Sequence, residues 1–340
     1  MTKRLELTRA RILAHRRKVG ALDERLPMSA ASLRRAAWAG LQDSMPRAAL
    51  LSIHARVEGT SSSAWEHRAL VQVWGPRFSA YVVPARDVAV FTRGRMPDDE
   101  TDRRRFEELA ERLHGYLKGR KVRFGEVARP LRLSHHNYIR YATTTGRLRI
   151  RWEGARQPVV WTESEPRIDY RAARLELARR HLHVFGPTTP VSFAQWAGIA
   201  PRSGSAAFDA LARSLTPVRT PIGDAWILSS DEPTFRAAPS PSAPARLLPS
   251  GDAYFLLRGV DRELLVPEAR RRSALWPSRV WPGAVLVHGE VVGTWRRAGQ
   301  LVDVESWRRL SRGERDAVET EARALPLPDV SGQIRVRWDD

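Results

Sequence analysis

The order in which hydrophobic periodicity changes along residues 120–229 constrains the fold more than any other feature of the chain. VRFGEVARPL and SHHNYIRYATTT read as two short helices, the second capped at Ser134. GRLRIRWEGARQPVVWT then alternates as a hairpin with its turn near Gly154. Leu148, Ile150 and Trp152 take one face of it, and Arg147, Arg149 and Arg151 take the other. The order then returns. RAARLELARRHLHVFG is a helix ending at Gly186, and TTPVSFAQWAGI is a helix entered through a threonine cap and a proline. SGSAAFDALARSLTPV carries Phe208, Leu211 and Leu215 on one stripe, and TPVRTPIGDAWIL is a hairpin turning at Gly223-Asp224.

Helix, turn, helix, hairpin is the order of a winged helix. The chain is therefore expected to be α+β, with tandem winged-helix (helix-turn-helix plus wing) units at 120–170 and 171–230 and a C-terminal small β-barrel. Residues 1–119 are expected to form an N-terminal helical or winged-helix-like unit. In it, TRARILAHRRKVG and SAASLRRAAWAGLQDS are helical, capped by Thr8 and by Ser29 or Ser32. ALVQVWGPRFSAYVVPARDVAVFT is strand, turn at Gly75-Pro76, strand, and residues 98–118 form an amphipathic helix. DEPTFRAAPSPSAPARLLPS, at 231–250, reads as a Pro-rich linker. At 251–340, the short strands AYFLLRG, RELLVP, GAVLVHGEVVGTWRR, QLVDVESW and IRVRW predict a β-barrel-like domain interrupted by one helix, SRGERDAVETEARAL.

Charge narrows the partner. Lys and Arg number 57 against 38 Asp and Glu, a surplus of +19. Such a surface favours a polyanion, double-stranded DNA first. The absence of cysteine excludes disulfides, the usual zinc fingers, iron–sulfur clusters and thiol nucleophiles. No apolar run is long enough for a membrane span, and MTKRLELTRARIL is charged too early for a secretory signal. A cytoplasmic, nucleoid-associated protein with no membrane contact is expected. A monomer suffices, because the repeated units supply internal multiplicity. His135-His136 and His181-x-His183 lack a third ligand at helical spacing, and no phosphate-cradling glycine loop occurs, so no metal and no cofactor are expected.

GLQDSMPRAALLSIHAR, residues 40–56, has helix-like apolar spacing broken by Gln42, Asp43 and Ser44. The trio is either a helix edge facing water or a set of polar groups aimed at a bound molecule. Together with WGPRFSAYVVPARD, TTPVSFAQWAGI, LLPSGDAYFLLRGVDRELLV and GAVLVHGEVVGTWRR, this stretch resembles, in order, segments of the winged-helix DNA-binding family that includes the AlkZ-type bacterial DNA glycosylases. The likeness spans about residues 30 to 310. Members share a Gln-x-Gln or Gln-x-Asp pair that positions the attacking water. Gln42 matches its first position and Ser44 its second, with Asp43 between them. Tyr81 stands where the family has His, and Gly251 stands where it has Phe before Asp252.

The resemblance implies hydrolysis of the N-glycosidic bond of alkylated purines in DNA repair, with Gln42 and Asp43 or Ser44 around the water. The alternative is the same scaffold without catalysis, as a damage sensor or transcriptional regulator. A lyase needs an amine, and the four lysines, all before residue 122, stand in no apolar context, so a glycosylase here is expected to be monofunctional. Winged helices present a recognition helix and a wing to the duplex. Arg147, Arg149, Arg151 and Arg156 on the first wing are the expected DNA contacts. So are Arg202, Ser203 and Arg213 around the second recognition helix, Arg219 on its wing, and Arg77 in WGPRFS.

Overall fold

A computed structural model describes residues 4–45, 47–154, 156–239, 241–328, 330 and 332–339. Three of its four sheets have three strands each, and the fourth has five.

The C-terminal half of the repeat follows its sequence closely. Asp169 caps the helix Tyr170–Phe185, and Thr189 caps Pro190–Ala197 through the Ser192 N–H. Pro201–Leu211 follows, and then the antiparallel strands Leu215–Thr220 and Gly223–Leu228. The hairpin turns at residues 221–222, two residues earlier than expected, because Gly223 already pairs with Thr220. The short strand Leu5–Glu6 joins the far side of Leu215–Thr220 in parallel, so the chain's beginning completes a sheet built more than 200 residues later. The helix Arg9–Val19 then starts from the Thr8 cap.

In the 120–162 region, the strands Leu148–Arg151 and Val159–Thr162 pair, and Val122–Arg123 adds to the second of them. The helices are shorter than read: Phe124–Val127, and a 3-10 helix His136–Thr145. The latter is capped by the ring of His135, which accepts the Asn137 N–H, and not by Ser134. The helix Glu100–Leu117 lays Leu109, Leu113 and Leu117 against Phe124, Ile139 and Ile150.

The third sheet overturns the helical reading of GLQDS. The helix Ala30–Ala36 stops, Gly40 turns the chain at φ +76°, and Leu41–Gln42 becomes a strand. It pairs with the edge of Ala80–Pro84, Leu41 opposite Val82 and Gln42 opposite Tyr81, while Leu70–Trp74 lies on the other side. Gly40 is required twice. A left-handed φ suits glycine, and a Cβ there would stand 3.0 Å from both Phe91 and Tyr81. The helix resumes only at Ala48–His54.

The C-terminal strands do not close into a barrel among the described residues. Ala245–Leu248, Gly283–Val287, Glu290–Ala298, Leu301–Ser306 and Arg335–Asp339 make an open five-stranded sheet, antiparallel except for the last pair. The helix Arg312–Arg323, started by a Ser311/Glu314 capping box, sets Val318 and Ala322 against Val285, Val287 and Val302. The stretch read as linker supplies the helix Glu232–Arg236 and the first strand of this sheet. AYFLLRG and RELLVP, read as strands, are instead a 3-10 turn Ala253–Phe255 and a helix Asp261–Leu265. The side chain of Asp252 caps that turn by accepting the Tyr254 N–H at 2.9 Å. No described helix is long and apolar enough to cross a membrane.

Candidate active site

Placing Gln42 on a strand changes what its neighbours can do. The strand ends at Gln42; the Asp43 N–H still pairs with the Ala80 carbonyl, and Ser44 lies in the bend that follows. The Oε1 of Gln42 accepts a hydrogen bond from Arg77 Nη2 at 3.0 Å, and the Tyr81 hydroxyl stands at 3.4 Å. Arg77 also donates to the Trp196 carbonyl at 2.9 Å, which ties the helix Pro190–Ala197 to the polar trio. That approach is close: Arg77 and Phe78 both have positive φ, and a Cβ on Gly198 would stand 2.9 Å from the Arg77 backbone. On the opposite side, a Cβ on Gly251 would stand 3.2 Å from Gln42 Nε2.

Asp43 is wholly buried. Its Oδ1 accepts the Ala49 N–H at 3.1 Å, and its Oδ2 accepts Gln72 Nε2 at 2.6 Å, with Arg47 Nη2 at 3.7 Å. Burial pushes its pKa up to about 6, against the pull of Arg47. Gln72 and Arg47 in turn hold the Trp152 backbone: Gln72 Oε1 accepts its N–H at 2.7 Å, and Arg47 donates to its carbonyl at 2.6 Å. The Asp43 carboxylate therefore anchors the start of the helix Ala48–His54 and the end of the strand Leu148–Arg151, away from Gln42's side.

Ser44 faces a cavity of about 300 Å³ that Trp74, Arg77, Phe78, Arg140 and Trp152 also line. Its Oγ is buried and has no hydrogen-bond partner. A second cleft, about 360 Å³, opens at the next residue between Met45, Leu51, Pro249, Trp281, Trp295 and Arg296. Ser44 thus borders a cationic aromatic cavity, and Met45 a largely apolar one.

The other arginines singled out in the sequence fall into two groups. Four are ion-paired: Arg147 with Glu111 and Glu165, Arg149 with Glu163, Arg151 with Glu66 and Glu153, and Arg219 with Asp224. Arg149 is also buried and donates to the Gly146 carbonyl, so the wing does not present three arginines on one open face. Its strand packs beside Leu70–Trp74, and Leu148 and Ile150 share a core with Trp74. Arg156, Arg202 and Arg213 are exposed, whereas Ser203 is buried and donates to Asp98 at 2.5 Å. Arg140 and Arg258 carried no signal in the sequence beyond being arginines. The fold alone brings them to the neighbourhood of Gln42 and Arg77.

A family model described as DNA glycosylase AlkZ-like matches residues 35–326. The chain belongs to that glycosylase family. Membership places it among DNA repair glycosylases, whose substrate is DNA. The structure is similar to that of the Streptomyces sahachiroi DNA glycosylase AlkZ, with a TM-score of 0.78 at 18% identity over 98% of this chain and 100% of that one. At that identity the likeness concerns the fold. None of the curated proteins matches the chain.

Proposed function

We propose that the chain is a monofunctional glycosylase that hydrolyses the N-glycosidic bond of an alkylated purine in double-stranded DNA. A cationic N3- or N7-alkylpurine is already a good leaving group. The protein's task is then to hold the strand, favour positive charge growing on the sugar, and orient one water. Gln42 is the orienting group. Arg77 fixes its amide at 3.0 Å, and the Tyr81 hydroxyl donates to the same oxygen at 3.4 Å, the long bond that an O–H of water would replace. This fixed amide, held by an arginine that lines the cavity beside Ser44, is the observation that carries the reading. Ser44 lines the neighbouring cavity with Arg77, and Asp43 anchors the chain behind Gln42 without reaching the water. The helix-and-hairpin units at 122–162 and 170–228 are read as winged helices that hold the duplex, with Arg156, Arg202 and Arg213 free to meet phosphates.

The test is base release from a duplex bearing one N7-methylguanine, followed by alkaline cleavage, with wild type beside Gln42→Ala. Release that disappears in the variant, with no strand cut before alkali, is the expected result. The hydroxyl at Ser44, in place of an amide or carboxylate, favours a second reading: a binder of damaged DNA without catalysis. Absence of release with salt-sensitive duplex binding intact selects that reading.

A further inference from the structure

The cavity beside Ser44 combines uncompensated guanidiniums with buried donors that have no partner among the described residues. Two guanidiniums, Arg77 and Arg140, line it, and no carboxylate does. Arg77 spends its hydrogen bonds on neutral oxygens, those of Trp196 and Gln42. Arg140 lies over the rings of Trp74 and Phe124 at 5.5 and 5.6 Å, and no carboxylate lies within ion-pair distance of it among the described residues. Its Nε is buried without a hydrogen-bond partner among the described residues, as is the Oγ of Ser44. Further positive charge stands behind. Buried Arg95 donates only to the carbonyls of Ala197 and Trp74, and both Arg95 and Arg258 feel the repulsion of Arg77. Elsewhere in the chain, arginines such as Arg56, Arg149 and Arg174 have a carboxylate each.

Unsatisfied donors and uncompensated like charge in one cavity call for an anion. A cationic alkylated base is repelled there, whereas a phosphodiester group supplies the missing negative charge and accepts from both a guanidinium and a hydroxyl. We infer that the cavity lined by Ser44, Arg77 and Arg140 is a phosphate seat, which holds one backbone phosphate of the substrate strand next to the nucleotide whose base is released. The inference rests on the proposed glycosylase reading for its position in the reaction, but not for the binding itself. Ser44 then serves the DNA backbone, and Gln42 alone serves the water.

The experiment uses the full chain and a duplex with an abasic-site analogue, in which each nearby phosphate is replaced in turn by a neutral methylphosphonate. At one phosphate, neutralisation is expected to weaken wild-type binding about tenfold and to leave Arg140→Gln unaffected. The slope of log K against log salt should become shallower by about 1 in Arg140→Gln and stay near the wild-type value in Arg140→Lys. If Arg140→Gln keeps the wild-type slope and responds at every phosphate as the wild type does, the seat is overturned. Should that variant fail to fold, Ser44→Ala decides. A loss of a few-fold confined to that phosphate supports the seat, and no loss there overturns it. Binding that follows this pattern without any base release removes the glycosylase reading alone. Base release without the pattern removes the seat alone.

Discussion

Arg56 grips Asp252 with both terminal nitrogens, each 2.7 Å from a different carboxylate oxygen, and neither side chain is more than 3% exposed. Ser52 adds its hydroxyl at 2.6 Å. The pair locks the helix that follows the polar trio to the turn that carries Gly251, across 196 residues of chain. Removing one partner leaves a buried charge alone. Arg56→Ala should therefore cost about 3–5 kcal/mol. Urea denaturation measures it, and a variant within about 1 kcal/mol of wild type would show the pair to be dispensable.

Gly251 holds φ +77° and would press any Cβ to 3.2 Å from Gln42 Nε2. Gly299 shares the positive φ, at +59°, but has nothing within 4 Å. Alanine at either should cost about 1–2 kcal/mol of stability from the left-handed backbone. Only Gly251→Ala should also slow base release, by about tenfold or more, because only there is a reacting group displaced. Equal activity in the two variants would remove Gln42 from the chemistry.

Asp43 gives a pH signature. Its pKa rises from the ordinary 3.8 to about 6 in the folded chain, through burial. A pKa raised on folding means that the folded state binds the proton more tightly. The resulting stability is full below about pH 4 and is lost as pH rises through 6, by about 3 kcal/mol. Asp43→Asn removes this dependence, so its stability relative to wild type should improve from pH 4 to pH 8. Denaturation midpoints across that range test it, and a constant difference would place the carboxylate in water.

Three buried histidines act in the opposite direction. Burial lowers His15 and His54 from 6.5 to about 4, and His181 to about 3. The unfolded chain then takes up protons that the folded chain refuses. Stability is full above about pH 6.5 and falls as pH drops toward the folded values. Three such groups outweigh the single Asp43, so net acid lability below pH 6 is expected. His181→Gln should make the fall with pH shallower, as read by thermal melts at pH 7, 6 and 5. An unchanged slope would mean that His181 takes up its proton as readily in the fold as in the unfolded chain.

Much of the fold was legible because its signals are local. Thr8 and Thr189 cap helices through hydrogen bonds spanning three residues, and the strands flanking Gly75-Pro76 need only alternation and a turn. The site was half legible. Its residues were recognised in the chain, but their secondary structure was misread. GLQDS has helical spacing, and only the free edge at Tyr81 and Val82, forty residues away, makes it a strand. That single change brings Gln42 to Arg77 and Tyr81 and turns Asp43 into an anchor.

By itself the sequence determined the order of helices and hairpins, the positive charge, and the presence of the polar trio. These depend on residue type and short spacing. Which arginines are neutralised depends on carboxylates brought from distant strands, as Glu163 is to Arg149 and Glu66 to Arg151. Which arginines are left with none, as Arg77 and Arg140 are, depends on the same packing. Whether the last strands close into a barrel is likewise a question of edge pairing. The chain left them open because the edge strands Ala245–Leu248 and Arg335–Asp339 find no pairing with each other among the described residues. Spacing along a chain carries no information about such meetings; only the packed structure decides them.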